Sequence, residues 1–383
     1  MVPNLRFSNQ YKLRKVRLGD ICTITGGYAF DSHKMKQQGE YQIIKMGNLY
    51  NGIFDLSRNQ SFINAPTKKE LEYLIQKNDI LITLTGTTNK KDYGYTVQIE
   101  KPKKLLLNQR CALIRASKVN EKYLFYLLNS NDFLKQFYAS STGGTGNQTN
   151  VSINDMLDFK VYISNENDQL KISNILNALD KKISTQIKII DTLLSEINSI
   201  RSLIFNKSSL KWIPLKDIVA EQNIKLKRGK VIPKHKKNLK YIYPVYSSSI
   251  TNSGLMGYSD SYMFNQELIT WSIDGGGNFF YRKKHKFNIT NVSGYMILNE
   301  NLFNYQFIVQ SLIWQHEKLK FDYQTKAHPS VVESLYKIPI MDLEEQHKYA
   351  CLFSNLNEKY ELELHILDLL NMQKKCLLKN MFV

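Results

Sequence analysis

Two long stretches of this chain are near-twins. The first, "DKKISTQIKIIDTLLSEINSIRSLIF" at residues 180–205, is apolar at every third or fourth position and predicts a helix. The second, "NEKYELELHILDLLNMQKKCLLKNMF" at residues 357–382, has the same pattern at a constant offset of 177. Gln169 matches Gln346, Lys171 matches Lys348, Leu179 matches Leu356, Ile189 matches Ile366, Asp191 matches Asp368, Leu193 matches Leu370 and Phe205 matches Phe382. The match begins ahead of each helix, where "FKVYI" (159–163) faces "YKIPI" (336–340). A period this long is not that of a solenoid. It predicts two copies of a domain followed by a long helix.

The rest of the chain repeats with a drifting offset. "VRLGDI" (16–21) resembles "IPLKDI" (213–218) at 197, and "LIT" at 81–83 resembles "LIT" at 268–270 at 187. Asn108 resembles Asn291 at 183, and Tyr123 and Phe125 resemble Tyr305 and Phe307 at 182. The second copy is shorter by twenty residues, and the ends of the copies match better than their middles. A shared scaffold carrying two different working surfaces produces this pattern. Short strands are predicted at 41–46, 79–85 and 294–299, a helix at 121–138 and its counterpart near 304–320. Helix-start residues lie at Asn165–Asp168 and Asp342–Glu345. The expected fold class is α+β: mixed α/β domains at 1–164 and 208–341, with long helices at 165–207 and 342–383.

Both helices carry heptads. The predicted seam is Leu176, Leu179, Ile183, Gln186, Ile190, Leu193 and Ile197 in the first, and Leu356, Tyr360, Glu363, Leu367, Leu370 and Leu377 in the second. A polar intruder occupies the matched site in each, Gln186 and Glu363, and Lys374 joins it in the second. Polar seam residues cost stability but fix register and partner. Such a stripe also suits a helix lying on its own domain. About 30 residues at 1.5 Å each, roughly 45 Å, exceeds what a domain this small needs for that. The two helices are therefore expected to pack on each other as an antiparallel coiled coil, with the two copies related by a pseudo-twofold axis.

Lys and Arg number 52 against 34 Asp and Glu, a net charge of +18. Such a surplus attracts polyanions, with nucleic acid first, an anionic membrane surface second and a generally basic background as the bland account. No apolar run approaches the ~18 residues of a membrane span. The opening "MVPNLRFSNQYKLRK" has no apolar core of a secretory signal. Cys22, Cys111, Cys351 and Cys376 are scattered, which disfavours a disulfide framework or zinc site and fits the cytoplasm. There is no phosphate loop, no HExxH, no GxSxG and no Asn-Pro-Pro-aromatic tetrapeptide. Asp180-x-Lys182 has the tail spacing of a nuclease motif but lies on the zipper without an upstream partner. No catalytic residue and no metal ligand is predicted.

What remains is binding equipment. The amide-rich loop "SSTGGTGNQTNVS" (140–152) offers Gly143, Thr145, Asn147 and Gln148 to bases and phosphates; a plain linker is the alternative. "TTNKKDYGY" (87–95) offers Asn89, Lys90, Lys91 and Tyr93, and "FFYRKKHKF" (279–287) offers Arg282, Lys283 and Lys284. A solvated hairpin is the alternative for either stretch. "KLKRGK" (225–230) adds Lys227 and Arg228, and "DYQTKAHPS" (322–330) adds Lys326.

Together, the opening "VRLGDI/IPLKDI", the run "NDILITLTGT" (78–87), the Tyr-x-Phe helix, the Gly-rich polar loop and the Gln-Lys-Leu lead into each heptad resemble the specificity subunit of type I restriction-modification enzymes. The resemblance covers nearly the whole chain. It implies two target recognition domains, each reading half of a split site in double-stranded DNA, with the coiled coil as ruler. It implies two adenine methyltransferase subunits as partners, and motor-nuclease subunits joining them. S-adenosylmethionine, ATP and Mg belong to those partners, so this chain is expected to be non-catalytic and without a cofactor of its own. The second copy lacks the "TGGTGNQ" spelling. Rival expectations are the recognition part of another restriction-methylation system and a non-DNA scaffold whose zippers dock protein partners.

Overall fold

The computed structural model describes residues 13–87, 90–143, 148–249, 251–274, 276–319 and 326–382. The chain divides into two compact units: Met1–Thr185 with Leu367–Val383, and Gln186–Ile366. The division runs through both long helices, Glu166–Phe205 and Leu343–Met381. At 40 and 39 residues they are longer than the heptads alone suggested, about 60 Å each. Each unit thus holds one globular head, the start of one long helix and the end of the other.

In the first unit, strand Arg14–Arg17 pairs antiparallel with Lys160–Ile163, tying the front of the head to its exit. A four-stranded sheet has the order Cys22–Gly26, Cys111–Ala116, Ile80–Thr83, Thr96–Gln98. Strand Ile80–Thr83 is buried along its whole length. That is why it is a continuous apolar run rather than an alternating one. One face packs Ile80, Ile82 and Ile114 against helices Glu121–Leu127 and Asn131–Ala139. The other packs Leu81, Val97 and Leu113 against strand Leu105–Leu107. The sequence predicted one helix over 121–138. The structure breaks it at Ser130, whose hydroxyl accepts from Phe133 N and starts a second helix.

The second unit repeats the plan. Strand Lys211–Pro214 pairs antiparallel with Lys337–Ile340. A six-stranded sheet has the order Ile224–Arg228, Ser293–Leu298, Phe264–Ser272, Phe279–Ile289, Tyr243–Tyr246, Leu255–Ser259. Helix Tyr305–His316 covers one face.

Pairing partners give the register between copies. Gly27 N donates to Cys111 O, and Gly229 N donates to Ser293 O. Cys111 therefore corresponds to Ser293, and Asn108 to Thr290 rather than Asn291. Leu81 lies opposite Leu113, and Thr270 opposite Tyr295. The two "LIT" triplets are thus out of step by two residues. Asn120 caps Tyr123 N and Asn304 caps Phe307 N, so Tyr123 corresponds to Phe307, not Tyr305. Packing agrees: the Tyr123 ring lies 5.1 Å from Phe382, and the Phe307 ring 5.5 Å from Phe205. The mismatches arise where short apolar strings recur by chance. A one- or two-residue slip there costs nothing in similarity but reverses or displaces the buried face.

Within each unit the long-helix segments run antiparallel. In the first, Asp180 pairs with Lys374 at 2.7 Å, and Leu176 and Leu179 share a core with Leu377 and Met381. In the second, Gln186 hydrogen-bonds Glu363, and Ile204 shares a core with Phe353. Leu176, Leu179, Gln186, Ile190, Leu193 and Ile197 are buried, and Ile183 is half-buried. On the other helix Leu377 is buried, while Leu356, Tyr360, Glu363, Leu367 and Leu370 are half-buried. Asp180 also accepts from the Tyr126 hydroxyl at 2.9 Å, so this carboxylate is a structural tie between head and helix.

Candidate nucleic-acid interface

The charge sits in the heads. Residues 1–164 hold 23 basic and 13 acidic residues, and 208–341 hold 18 and 9; the two helical stretches together hold 11 and 12. Any polyanion is drawn to the heads, not to the helices.

In the first head, strand Thr85–Thr87 pairs with Gln148–Asn150, which turns back onto Thr142–Gly143. This ribbon joins two loops that lie more than fifty residues apart in sequence. Gln148 sits opposite Thr87, and Gly143 opposite Thr149. Gly143 and Gln148 on this ribbon, and Lys90 and Lys91 in the chain just beyond Thr87, are all exposed. Asp92 fixes the turn by accepting from Thr87 N at 2.6 Å and from Thr87 Oγ1 at 2.8 Å. Chiefly the first of these bonds holds the Asp92 carboxyl below the usual carboxylate range. Gly86 is required here: a Cβ would meet Tyr93 Cδ1 at 2.5 Å and Asp92 Oδ1 at 2.6 Å. Lys91 has φ +52° and holds its ammonium 5.2 Å from the Tyr138 ring. Asn89, Thr145 and Asn147 lie outside the described residues.

The structure corrects the expectation for Tyr93. Its ring is 4% exposed and packs against Phe137 and Tyr138, with centroids 5.8 and 5.2 Å away. It seats the turn from below and is not displayed. The polar letters around it concealed this, because the turn is a thin layer over an aromatic core.

In the second head "FFYRKKHKF" is not a hairpin but part of the long strand Phe279–Ile289. Alternation along it turns Arg282 inward and Lys283 outward. Arg282 is 5% exposed, lies 3.8 Å from the Tyr246 ring and 5.0 Å from Phe280, and donates Nε–H to Thr270 Oγ1 at 3.0 Å. It makes no ion pair among the described residues, and burial pushes its pKa down to about 10. The matched positions in the first head are apolar: Ile99 for Arg282, Leu81 for Thr270, Leu113 for Tyr295. So Arg282, too, is corrected from a displayed contact to a buried support. Lys283 pairs with Glu358 at 2.7 Å, Lys326 pairs with Asp274 at 3.4 Å, and Lys284 is exposed.

Lys227 and Arg228 lie on the edge strand Ile224–Arg228, with Arg228 donating to Asn291 O at 2.8 Å. Two strands separate that edge from Phe279–Ile289, roughly 14 Å at normal strand spacing. The basic residues singled out in the second copy therefore do not converge as those of the first do. Sequence reasoning passed over another group, Lys234, Lys236, Lys237 and Lys240. Its signal was present: no Asp or Glu occurs between Gln222 and Ser259.

Among the described residues no group of His, Cys, Asp and Glu is arranged to hold a metal ion, and no helix is long and apolar enough to cross a membrane.

The model of the type I restriction modification DNA specificity domain matches residues 12–194 and again 211–372. The chain belongs to this family. Both matches begin at a front strand and end within a long helix, so each specificity domain is one structural repeat. A type I specificity subunit of Mycoplasma pneumoniae is 34% identical over 115 residues, 28% of this chain and 36% of that protein. The chain thus spans about a third of the length of this relative. Another from the same organism is 24% identical over 210 residues, 52% of this chain and 76% of that protein. Among solved structures, the type I restriction-modification S subunit of Mycoplasma genitalium has a TM-score of 0.67 at 18% identity, covering 100% of this chain and 99% of that one. A chain from a study of complex assembly and conformational transition in a type I system has a TM-score of 0.54 at 12% identity, with 96% of each covered. These likenesses establish the specificity-domain fold along the whole chain.

Proposed function

We propose that this chain is the DNA-recognition subunit of a type I restriction-modification complex, with each head reading one half of a bipartite target. One observation carries the reading. The fastenings of the two heads are the same, position for position, while their working surfaces differ. Gln136 exchanges two hydrogen bonds with the Lys160 backbone, and Gln315 exchanges the same two with Lys337. Above that shared base, one head carries the Thr85–Asn150 ribbon and the other a six-stranded sheet with a basic edge. Two unlike surfaces on one scaffold suit an asymmetric, split sequence.

In this reading phosphate contacts set the position of each head and loop side chains select bases. On the first head Lys90, Lys91, Gln148 and the neighbouring Asn89, Thr145 and Asn147 are the contacts; on the second, Lys227, Arg228 and Lys284 are. The long helices fix the gap between half-sites and dock two methyltransferase subunits. Motor-nuclease subunits join that assembly, and S-adenosylmethionine, ATP and Mg are bound by the partners. This chain then carries no catalytic group and works in the cytoplasm.

The test is co-expression with the methyltransferase of the same system, followed by mapping of methylated adenines. A two-part motif with a fixed unread gap is expected. Methylation that follows a single continuous motif, or that is unchanged when this chain is omitted, sinks the reading. A protein scaffold without DNA function predicts affinity for duplex that is absent or indifferent to salt.

A further inference from the structure

We propose that residues 231–242 of the second head, lying across strand Leu255–Ser259, form a grip for the phosphate backbone of duplex DNA. The proposal rests on the DNA reading above and adds a surface that neither the motifs nor the resemblance indicated.

The segment is a strap. It leaves the edge strand Ile224–Arg228, crosses the hairpin and returns as strand Tyr243–Tyr246. His235 and Tyr258 exchange backbone hydrogen bonds at 3.0 Å in both directions, and Ile242 N donates to Ser259 O at 3.1 Å. At the tip Asn238 Oδ1 accepts from Lys240 N and Tyr241 N, both at 2.8 Å. The strap lies so close that a Cβ on Gly257 would meet Lys234 Cβ at 2.9 Å. It is therefore a fixed element of the head, although residues 233–240 are all exposed.

Its charge is one-sided. Eight of the 18 basic residues of 208–341 fall between Lys225 and Lys240, and no acid occurs from Gln222 to Ser259. None of Lys234, Lys236, Lys237, Lys240 and the adjacent Lys286 makes an ion pair among the described residues, whereas Lys283 and Lys326 do. A solvated stretch usually mixes its charges; along these residues of the sequence only one sign occurs.

The ammonium groups are also propped on rings. Lys237 lies 5.5 Å from the Tyr258 ring, Lys240 5.4 Å from Tyr241, and Lys286 4.9 Å from Tyr262. His235 stacks on Tyr241 with centroids 3.9 Å apart. A ring beside the ammonium restricts the lysine's rotamers while leaving donors on its outer side for a phosphate, which lowers the entropy lost on binding an anion. Leu239 at the tip is wholly exposed, so none of the described residues covers the tip of the strap. A row of unpaired, pre-ordered cations fits a regularly spaced polyanion, and each phosphate neutralised releases condensed counterions.

The test measures affinity of the intact chain for a labelled duplex across a salt series. Compared are the wild type, the triple variant Lys236→Gln, Lys237→Gln, Lys240→Gln, and a control triple elsewhere on the same head, Lys211→Gln, Lys216→Gln, Lys337→Gln. Removing three phosphate contacts is expected to make the slope of log affinity against log salt shallower by about 2–3, equally for target and scrambled duplex. The same three positions as Arg are expected to keep the wild-type slope, and the control triple to leave it unchanged. A strap triple with the wild-type slope overturns this inference while leaving the DNA reading intact. A wild type whose duplex affinity ignores salt overturns both. Binding to phosphatidylglycerol vesicles that falls in the strap triple, with duplex binding unaltered, assigns the surface to anionic membrane and overturns the DNA assignment.

Discussion

Gln186 donates its amide to Glu363 Oε2 at 2.6 Å and to Glu363 O at 3.0 Å, and these two residues are the same position of the repeated sequence. Equivalent positions of two antiparallel helix segments meet only at the register in which the copies correspond. The pair therefore defines the alignment of the two helices at this level. The single variant Gln186→Leu strands a half-buried carboxylate and is expected to cost about 1–3 kcal/mol. The double variant Gln186→Leu, Glu363→Leu is expected to be near neutral or stabilising. A denaturant-based double-mutant cycle measures the coupling, and purely additive losses would contradict the pairing.

A second clamp occurs once in each unit. Gln169 Oε1 accepts from Asn120 N at 3.0 Å, and its amide donates to Ser164 O at 2.8 Å. Gln346 accepts from Asn304 N at 2.9 Å and donates to Leu302 O and Met341 O. Each side chain is nearly inaccessible and satisfies the backbone at the start of a head helix and the start of a long helix. Leucine at either site leaves those groups without partners, a loss of about 1–3 kcal/mol in thermal or chemical unfolding. Glutamate retains only the acceptor half of the clamp and should restore less than half of the stability.

Phe382 and Phe205 close the cores of the first and second units respectively. Phe382→Ala is expected to destabilise by about 3–5 kcal/mol through the cavity left against Tyr123, and Phe205→Ala by a similar amount against Phe307 and Trp314. Hydrogen exchange should show Phe382→Ala loosening amides of Glu121–Leu127 and Phe205→Ala loosening those of Tyr305–His316. Protection lost in the opposite head from that assigned would show the packing to be wrong.

His316 lies against Phe279, with its Nδ1 2.7 Å from the Tyr336 hydroxyl, and burial depresses its pKa below the ordinary 6.5. Between the folded value and 6.5 the unfolded chain binds the extra proton. Stability of the second unit is then fully present above pH 6.5 and declines as pH falls toward the folded value. Unfolding midpoints measured from pH 7 to about pH 5 should fall in the wild type, and His316→Gln should flatten that decline.

If the long helices set the gap between half-sites, adding one heptad to each lengthens the strut by about 10 Å, close to three base pairs at 3.4 Å. The mapped target should keep both half-sites and gain about three unread positions. A gap that does not change removes the helices from the measuring role.

The sequence alone determined the plan: two copies, two long helices, mixed α/β heads and a surplus of positive charge. Those features depend on periodicity and on residues repeated at a constant offset, which one chain displays without being folded. It also held Gln169 and Gln346 in view as a matched pair, but without their purpose. A glutamine that clamps two backbones looks the same in letters as one in water.

Only the tertiary structure decided which charges are available. Lys90, Lys91, Gln148 and Gly143 are assembled by a strand pairing between distant segments, and no local pattern announces such a pairing. Tyr93 and Arg282 sit in basic, polar strings and are buried, whereas Lys236, Lys237 and Lys240 lie in a string without a motif and are exposed, the last two with their ammonium groups over tyrosine rings. The physical reason is that exposure belongs to a side chain's neighbours in space. In a strand adjacent residues face opposite ways, so a basic run divides between core and solvent according to a register fixed by its partners.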